Sequence, residues 1–241
     1  MHLSQNKILI TGGATGIGLG LAKRFIGENN TVIICGRRES ALKEAKEKLP
    51  ELITNSCDLA DTDARQMLFD WIKKEHPDLN VLINNAGIQQ WMSVTDDNFF
   101  NRASEEMTIN MEAPIHLSAL FQQLPSLQVI MNVSSGLSFS PLSKVPVYCA
   151  TKAFLHSFTL SLRHLLKQKN IEVIELIPPA LNTDLGGKGI HDAYPSVNGF
   201  VESVFEQLKQ GKTEITYGTS EARLKAGYEE LQKVFLQMNP E

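Results

Sequence analysis

No apolar run in this chain approaches the length of about 18–20 residues that a membrane-spanning helix needs. Cysteine is scarce. The three residues Cys35, Cys57 and Cys149 are odd in number, and their spacings match no zinc-ligand pattern. They read as reduced, partly buried thiols rather than as a disulfide framework. Cys149 carries a second reading as a redox-sensitive thiol, because it follows a tyrosine. A strong excess of either charge is also missing. Lys and Arg number 23 against 27 Asp and Glu, for a net charge of −4. That balance offers no basic field to nucleic acid or to an anionic membrane, and neither is expected as a partner. The densest basic run, 43–48, is interleaved with Glu44 and Glu47 and reads as a solvated helix face. The six histidines His2, His76, His116, His156, His164 and His191 contain no H-x-x-x-H pair, so no metal site is expected. No G-x-S-x-G elbow surrounds any serine, which disfavours an elbow-type hydrolase. Residues 1–7 run into a strand pattern without the charged and apolar regions of a secretory signal, and the expected location is cytoplasmic.

What is present is a regular alternation. Short Ile/Val-rich runs at 8–10, 32–34, 52–56, 81–83, 127–133, 171–177 and 213–217 read as strands. Helical periodicity fills 17–28, 39–48, 63–74, 96–123, 147–169, 200–209 and 221–236, with Pro114 expected to bend or interrupt its helix. Apolar strands between helices imply an α/β fold, a parallel sheet covered on both faces. At 241 residues, with no repeat or linker, one domain over 1–241 is expected. The least periodic stretch, 182–199, holds five of the chain's glycines and prolines and reads as a flexible loop over a site.

The first strand runs into Thr11-Gly12-Gly13-Ala14-Thr15-Gly16-Ile17-Gly18. Glycines here allow a sharp turn and a close approach of backbone to a pyrophosphate, and the helix that follows presents free N–H groups. The spacing is T-G-x-x-x-G-x-G rather than G-x-G-x-x-G, and a glycine turn without a ligand is the competing reading. The second strand ends in Gly36-Arg37-Arg38 where an NAD-selective site places a carboxylate. A guanidinium pairs with a 2′-phosphate through charge-assisted bonds, so the favoured cofactor is NADP(H), with NAD(H) second. Arg37 is the leading candidate and Arg38 the next. The alternative leaves both in solvent and gives the ribose to Glu39. Asp58 and Leu59 suit an adenine amino group and ring, with Asp58 as a turn cap the rival reading. Asn84-Asn85-Ala86-Gly87 admit backbone near the adenosine ribose, although an Asn there also ties strand ends together.

Tyr148 and Lys152 stand four apart at the start of a helix and share a face. A free phenol, with a pKa near ~10, is a poor base. A nearby ammonium together with the positive ring of an oxidised cofactor lowers that value, and the phenol then exchanges a proton with a carbonyl or alcohol oxygen. Ser135 ends the fifth strand and is placed to hold the same oxygen; Ser134 reads as a turn hydroxyl. Asn110 is a polar residue in a helical stretch, either a surface asparagine or one that distorts the helix and holds a proton-relaying water.

These motifs, in this order from Lys7 to about Tyr217, resemble the short-chain dehydrogenase/reductase family in its simple form. The resemblance implies a doubly wound Rossmann fold, three α/β/α layers around about seven strands. It implies an Asn110–Ser135–Tyr148–Lys152 tetrad in which Lys152 also binds the nicotinamide ribose, and assembly as a homodimer or homotetramer through the helices at 101–123 and 148–169. It places Pro178 and Thr183 beside the nicotinamide. Here Pro178-Pro179-Ala180 stands where the family reads Pro-Gly, which stiffens the turn and removes a backbone donor. This variant is similar to a bacterial subgroup associated by label with D-alanylation of teichoic acids, but fold and tetrad do not report a substrate. The expected activity is hydride transfer between NADP(H) and a small-molecule carbonyl or secondary alcohol. The alternatives are an NADP(H)-dependent sensor or scaffold without catalysis, and a dehydratase or epimerase on the same fold.

Overall fold

The computed structural model describes residues 1–240. Seven parallel strands form one sheet: β1 (Lys7–Thr11), β2 (Thr31–Gly36), β3 (Ile53–Ser56), β4 (Val81–Asn84), β5 (Val129–Val133), β6 (Glu172–Ile177) and β7 (Glu214–Thr216), in the order β3-β2-β1-β4-β5-β6-β7. The order reverses between β1 and β4, the switch point where doubly wound sheets open a crevice at their carboxyl ends. Helices α1 (Gly16–Gly27), α2 (Glu39–Lys48), α3 (Thr62–Glu75), α4 (Phe99–Met107), α5 (Ala113–Phe121), α6 (Pro146–Leu166) and α7 (Val197–Lys209) cover the two faces, and α8 (Thr219–Lys225) and α9 (Tyr228–Met238) follow β7.

Parallel strands are apolar on both faces because each face meets helices. Ile8 and Ile10 pack with Phe25 of α1 and Phe205 of α7, whose rings stand 4.7 Å apart. Leu9 faces the other way, toward Phe69 of α3 and Phe121 of α5, 5.4 Å apart and edge to face. Register is matched along the sheet, with Leu9 beside Ile33 on one side and Leu82 on the other.

Three boundaries differ from those the pattern suggests. The helical stretch at 96–123 is interrupted just before Pro114, by a π-turn over Thr108–Glu112; Pro114 then sits in the first turn of α5, where a missing N–H costs little. The last helix is two, α8 and α9, because Ala226 and Gly227 are extended. The loop after β6 ends earlier than 199: Ser196 caps α7 by accepting from the Gly199 N–H at 3.4 Å.

Behind the sheet's carboxyl edge, Ser134 is not a turn hydroxyl. It donates to the fully buried carboxylate of Glu175, which also meets Nδ1 of His156 at 2.9 Å. The bond to Glu175 raises the His156 pKa, against the opposing effect of burial. A raised histidine pKa adds stability that is present below the unfolded value, about 6.5, and is lost as pH rises through the folded one. His156→Gln is therefore expected to cost about 1–2 kcal/mol near pH 6 and less near pH 9. Urea denaturation at both values checks this, and an equal loss at both would remove the protonated pair from the account.

Candidate functional site

The crevice is built on one seam. Thr11 Oγ1, at the end of β1, accepts the N–H groups of Asn85 and Ala86, both at 3.0 Å, and donates to the Ile83 carbonyl. Asn85 replies with its side-chain amide, which donates to the Thr11 and Gly12 carbonyls at 2.9 and 3.2 Å. Asn84, the last residue of β4, donates to Asn132 of β5 and Ser118 of α5. Both asparagines therefore tie elements together, and the Asn85 side chain is committed to the glycine turn.

That turn is tight. Gly12 has a φ of +63°, and a Cβ there would stand 2.9 Å from the Ala86 Cα. A Cβ on Gly18 would stand 2.5 Å from the Gly12 carbonyl oxygen. The first turn of α1 thus presses against the loop. Thr15, extended at its N-cap, makes no side-chain cap, and the first turn holds no acidic residue. The leading N–H groups at Gly16, Ile17 and Gly18 are left for an anion, and the helix dipole favours one. These features fit a dinucleotide's pyrophosphate. Thr183, from the loop after β6, lies over Gly16, within 3.4 Å of where its Cβ would be.

The adenosine end is less preorganised. Arg37 follows β2 half exposed, paired at 3.7 Å with Glu105 of α4. Arg38 is exposed at the N-cap of α2 and makes no side-chain cap. One Asp58 oxygen caps its own turn by accepting from the Ala60 N–H at 3.0 Å. Leu59 is buried in the core beside α3, so its side chain is committed to packing there.

Ser135, Tyr148, Lys152 and Asn110 converge at the end of β5. The Ser135 hydroxyl accepts the Leu137 N–H at 3.1 Å and lies near enough to the Tyr148 phenol to favour its ionised form. Lys152 Nζ donates to the Val133 carbonyl at 2.7 Å and stands 5.6 Å from the centre of the Tyr148 ring. Gly87 leaves space where these groups meet: a Cβ there would be 3.2 Å from Asn110 Oδ1 and 3.5 Å from Lys152 Nζ. Asn110 is buried, not a surface residue. It accepts the Ile88 N–H and donates to the Ile88 carbonyl, both at 2.9 Å. Its backbone lies in the π-turn, and Pro114, four residues on, has no N–H to give the Asn110 carbonyl.

Burial dominates the ionisation of the pair. It pushes the Tyr148 phenol well above its usual value, with the Ser135 hydroxyl pulling the other way, and it lowers Lys152 to about 8. In the protein alone the phenol stays protonated at neutral pH, so Lys152 by itself does not bring it down. Burial also raises the Cys149 thiol, and its sulfur is engaged with Leu142, which favours inert packing over redox sensing.

Two polar groups here escaped the sequence reading. Gln89 Oε1 is buried without a partner beside Gly186 of the overlying loop. Glu106, fully buried, lies one helical turn before Asn110. The signal for Glu106 was its place in the buried stripe Ala103, Glu106, Asn110, Ala113 and Leu117.

The family model described as short chain dehydrogenase matches residues 6–193. An uncharacterised oxidoreductase of Bacillus subtilis (strain 168), DltE, is 45% identical over 250 aligned residues, covering 99% of this chain and 98% of the relative. Among solved structures, a short chain dehydrogenase from Burkholderia cenocepacia J2315 in complex with NADP superposes with a TM-score of 0.84 at 22% identity, over 98% of this chain and 99% of that one. A short chain dehydrogenase/reductase from Burkholderia phymatum in complex with NAD gives 0.82 at 18% identity, over 100% and 98%. At such identities the likeness shows the fold.

Gly18→Ala is expected to force the α1 terminus off the turn, destabilising the protein by about 1–3 kcal/mol and weakening dinucleotide binding by about tenfold or more. Thermal melting and fluorescence titration measure the two, and wild-type affinity in the variant would disprove the cradle.

Proposed function

The chain belongs to the short-chain dehydrogenase family, and within it we propose that it is an NADP(H)-dependent oxidoreductase acting on a carbonyl or secondary alcohol, with Tyr148 as acid and base. The observation that carries this reading is the convergence of Ser135, Tyr148, Lys152 and Asn110 beside the glycine turn at the switch point of the sheet. When bound, a nicotinamide dinucleotide supplies or accepts hydride. The leading N–H groups of α1 hold its pyrophosphate, Pro178 and Thr183 border its nicotinamide end, and Lys152 reaches its ribose. The Ser135 hydroxyl holds the substrate oxygen and steadies charge developing on it. Tyr148 donates its proton to that oxygen in reduction and accepts it in oxidation. Its burial keeps the proton in place until the site is filled. Pro114 gives the Asn110 carbonyl no N–H, and this carbonyl is the proposed anchor of a relaying water near Lys152.

Arg37 supports the NADP(H) preference. Its guanidinium stands at the end of β2, half exposed and held only by a long ion pair, so it is free to turn toward a 2′-phosphate. The two Burkholderia structures carry different dinucleotides, so fold likeness does not choose between them. The substrate enters under the loop at 182–196. Leu185 of that loop packs on Val145, Tyr148 and Cys149, and Gln89 offers an unpartnered acceptor, which gives a largely apolar pocket with one polar mark. Exposed Ile115, Leu160 and Leu165 on α5 and α6 support assembly as a homodimer or homotetramer. A cytoplasmic location agrees with this chemistry.

Tyr148→Phe is expected to lower turnover at least about 10³-fold with dinucleotide affinity nearly unchanged; normal turnover in the variant would sink the mechanism. Titration with NADPH and NADH should favour NADPH by at least about tenfold, or 1.4 kcal/mol, and Arg37→Glu should reverse the order. Equal affinities in the wild type would reject the phosphate clamp.

A further inference from the structure

Two glutamates are fully buried among the described residues, Glu175 and Glu106. Glu175 has Ser134 and His156 as partners; neither oxygen of Glu106 makes a hydrogen bond. A buried carboxylate without a partner is costly, and packing alone would favour an apolar side chain between Ala103 and Ala113.

The position suggests what the charge is for. Glu106 is at i−4 from Asn110, on the face of α4 that packs against α6. The ionisable groups acting on it are Lys152, Tyr148 and Cys149 from α6, and Arg102 and Glu105 from α4; the Gln90 N–H approaches from the loop after β4. Lys152 spends one of its three donors on Val133. The Asn110 amide gives both donors to Ile88 and Thr151 and its oxygen takes the Ile88 N–H; it makes no hydrogen bond to the ammonium and brings no charge to it.

We propose that Glu106 is a positioning residue for Lys152: its buried carboxylate supplies the negative charge that keeps the neighbouring amine an ammonium. The role deepens the oxidoreductase reading and rests on it. Burial lifts Glu106 to about 7, while the Gln90 N–H, Lys152 and Arg102 pull it down. Burial lowers Lys152 to about 8 even with Glu106 raising it. The glutamate gains its charge as pH rises through neutrality, where an unsupported amine in that site would be losing its own. Glu106 therefore extends the charged range of Lys152 toward alkaline pH.

The test is an NMR titration of side-chain-labelled lysine in the cofactor-free protein, with the Lys152 signal assigned by its loss in Lys152→Met. The wild-type midpoint is expected at about 8. Glu106→Gln should lower it by about one unit, a tenfold change in the protonation constant, and Glu106→Asp should restore most of the shift. The alkaline limb of the turnover profile should move down with it. A midpoint unchanged in Glu106→Gln overturns the proposal, even if activity falls, because a packing role would not shift the amine. Should Glu106→Gln fail to fold, the wild type decides. The Lys152 signal must then show a second inflection near pH 7 from Glu106, and a single inflection overturns the proposal. Neither failure touches the Tyr148→Phe outcome, so the two readings fail separately.

Discussion

The site depends on one bracket of hydrogen bonds between the ends of β1 and β4. Thr11 takes two backbone N–H groups from the chain leaving β4, and Asn85 returns its amide to the two carbonyls of the chain leaving β1. The exchange fixes the first glycine of the turn under Ala86 and so decides where α1 can begin. It also sets the path of Ala86, Gly87 and Ile88, and the Asn110 side chain bonds both the N–H and the carbonyl of Ile88. One seam thus aligns the N-terminus of α1 with the π-turn that carries Asn110. Neither end can shift without the other, because every link is a buried or half-buried polar bond whose loss leaves an unpaired group.

A second constraint is dryness. Tyr148, Lys152, Asn110 and Glu106 are all nearly or fully buried. Low dielectric strengthens each interaction among them and penalises each isolated charge. The protein answers the penalty differently at its two buried carboxylates. Glu175 is satisfied by Ser134 and His156, which ties β5 and β6 to α6 behind the site. Glu106 is left with charges around it and no hydrogen bond, so its ionisation remains responsive to its neighbours.

The fold and much of the site's layout were legible in the sequence because they rest on period and spacing. Ile/Val runs predict buried parallel strands, and Tyr148 with Lys152 share a helix face by arithmetic alone. Local competition was harder to read. Pro114 suggested a break at itself, but the backbone adjusts earlier, in a π-turn that lets proline fall into the next helix's first turn. Ser134 and Ser135 are neighbours in sequence, yet on an extended segment successive side chains point opposite ways. One therefore meets Glu175 behind the sheet and the other Tyr148 in the crevice. Leu59 resembled a ring-packing residue, but the core beside α3 claimed its side chain. Glu106 was overlooked because a single glutamate in a helix normally faces water; only its place in a stripe of buried residues marked it.

Burial raises the phenol and lowers the amine, so it drives both members of the pair toward their neutral forms. A site that relied on Lys152 alone to activate Tyr148 would work against its own burial, since the activating charge is the one that burial removes. Two remedies are consistent with this geometry. A negative charge behind the amine keeps it protonated, and positive charge arriving with the ligand stabilises the phenolate. The first is built into α4 at Glu106. In the proposed mechanism the second enters only when the crevice is filled, so Tyr148 gives up its proton only in the loaded site.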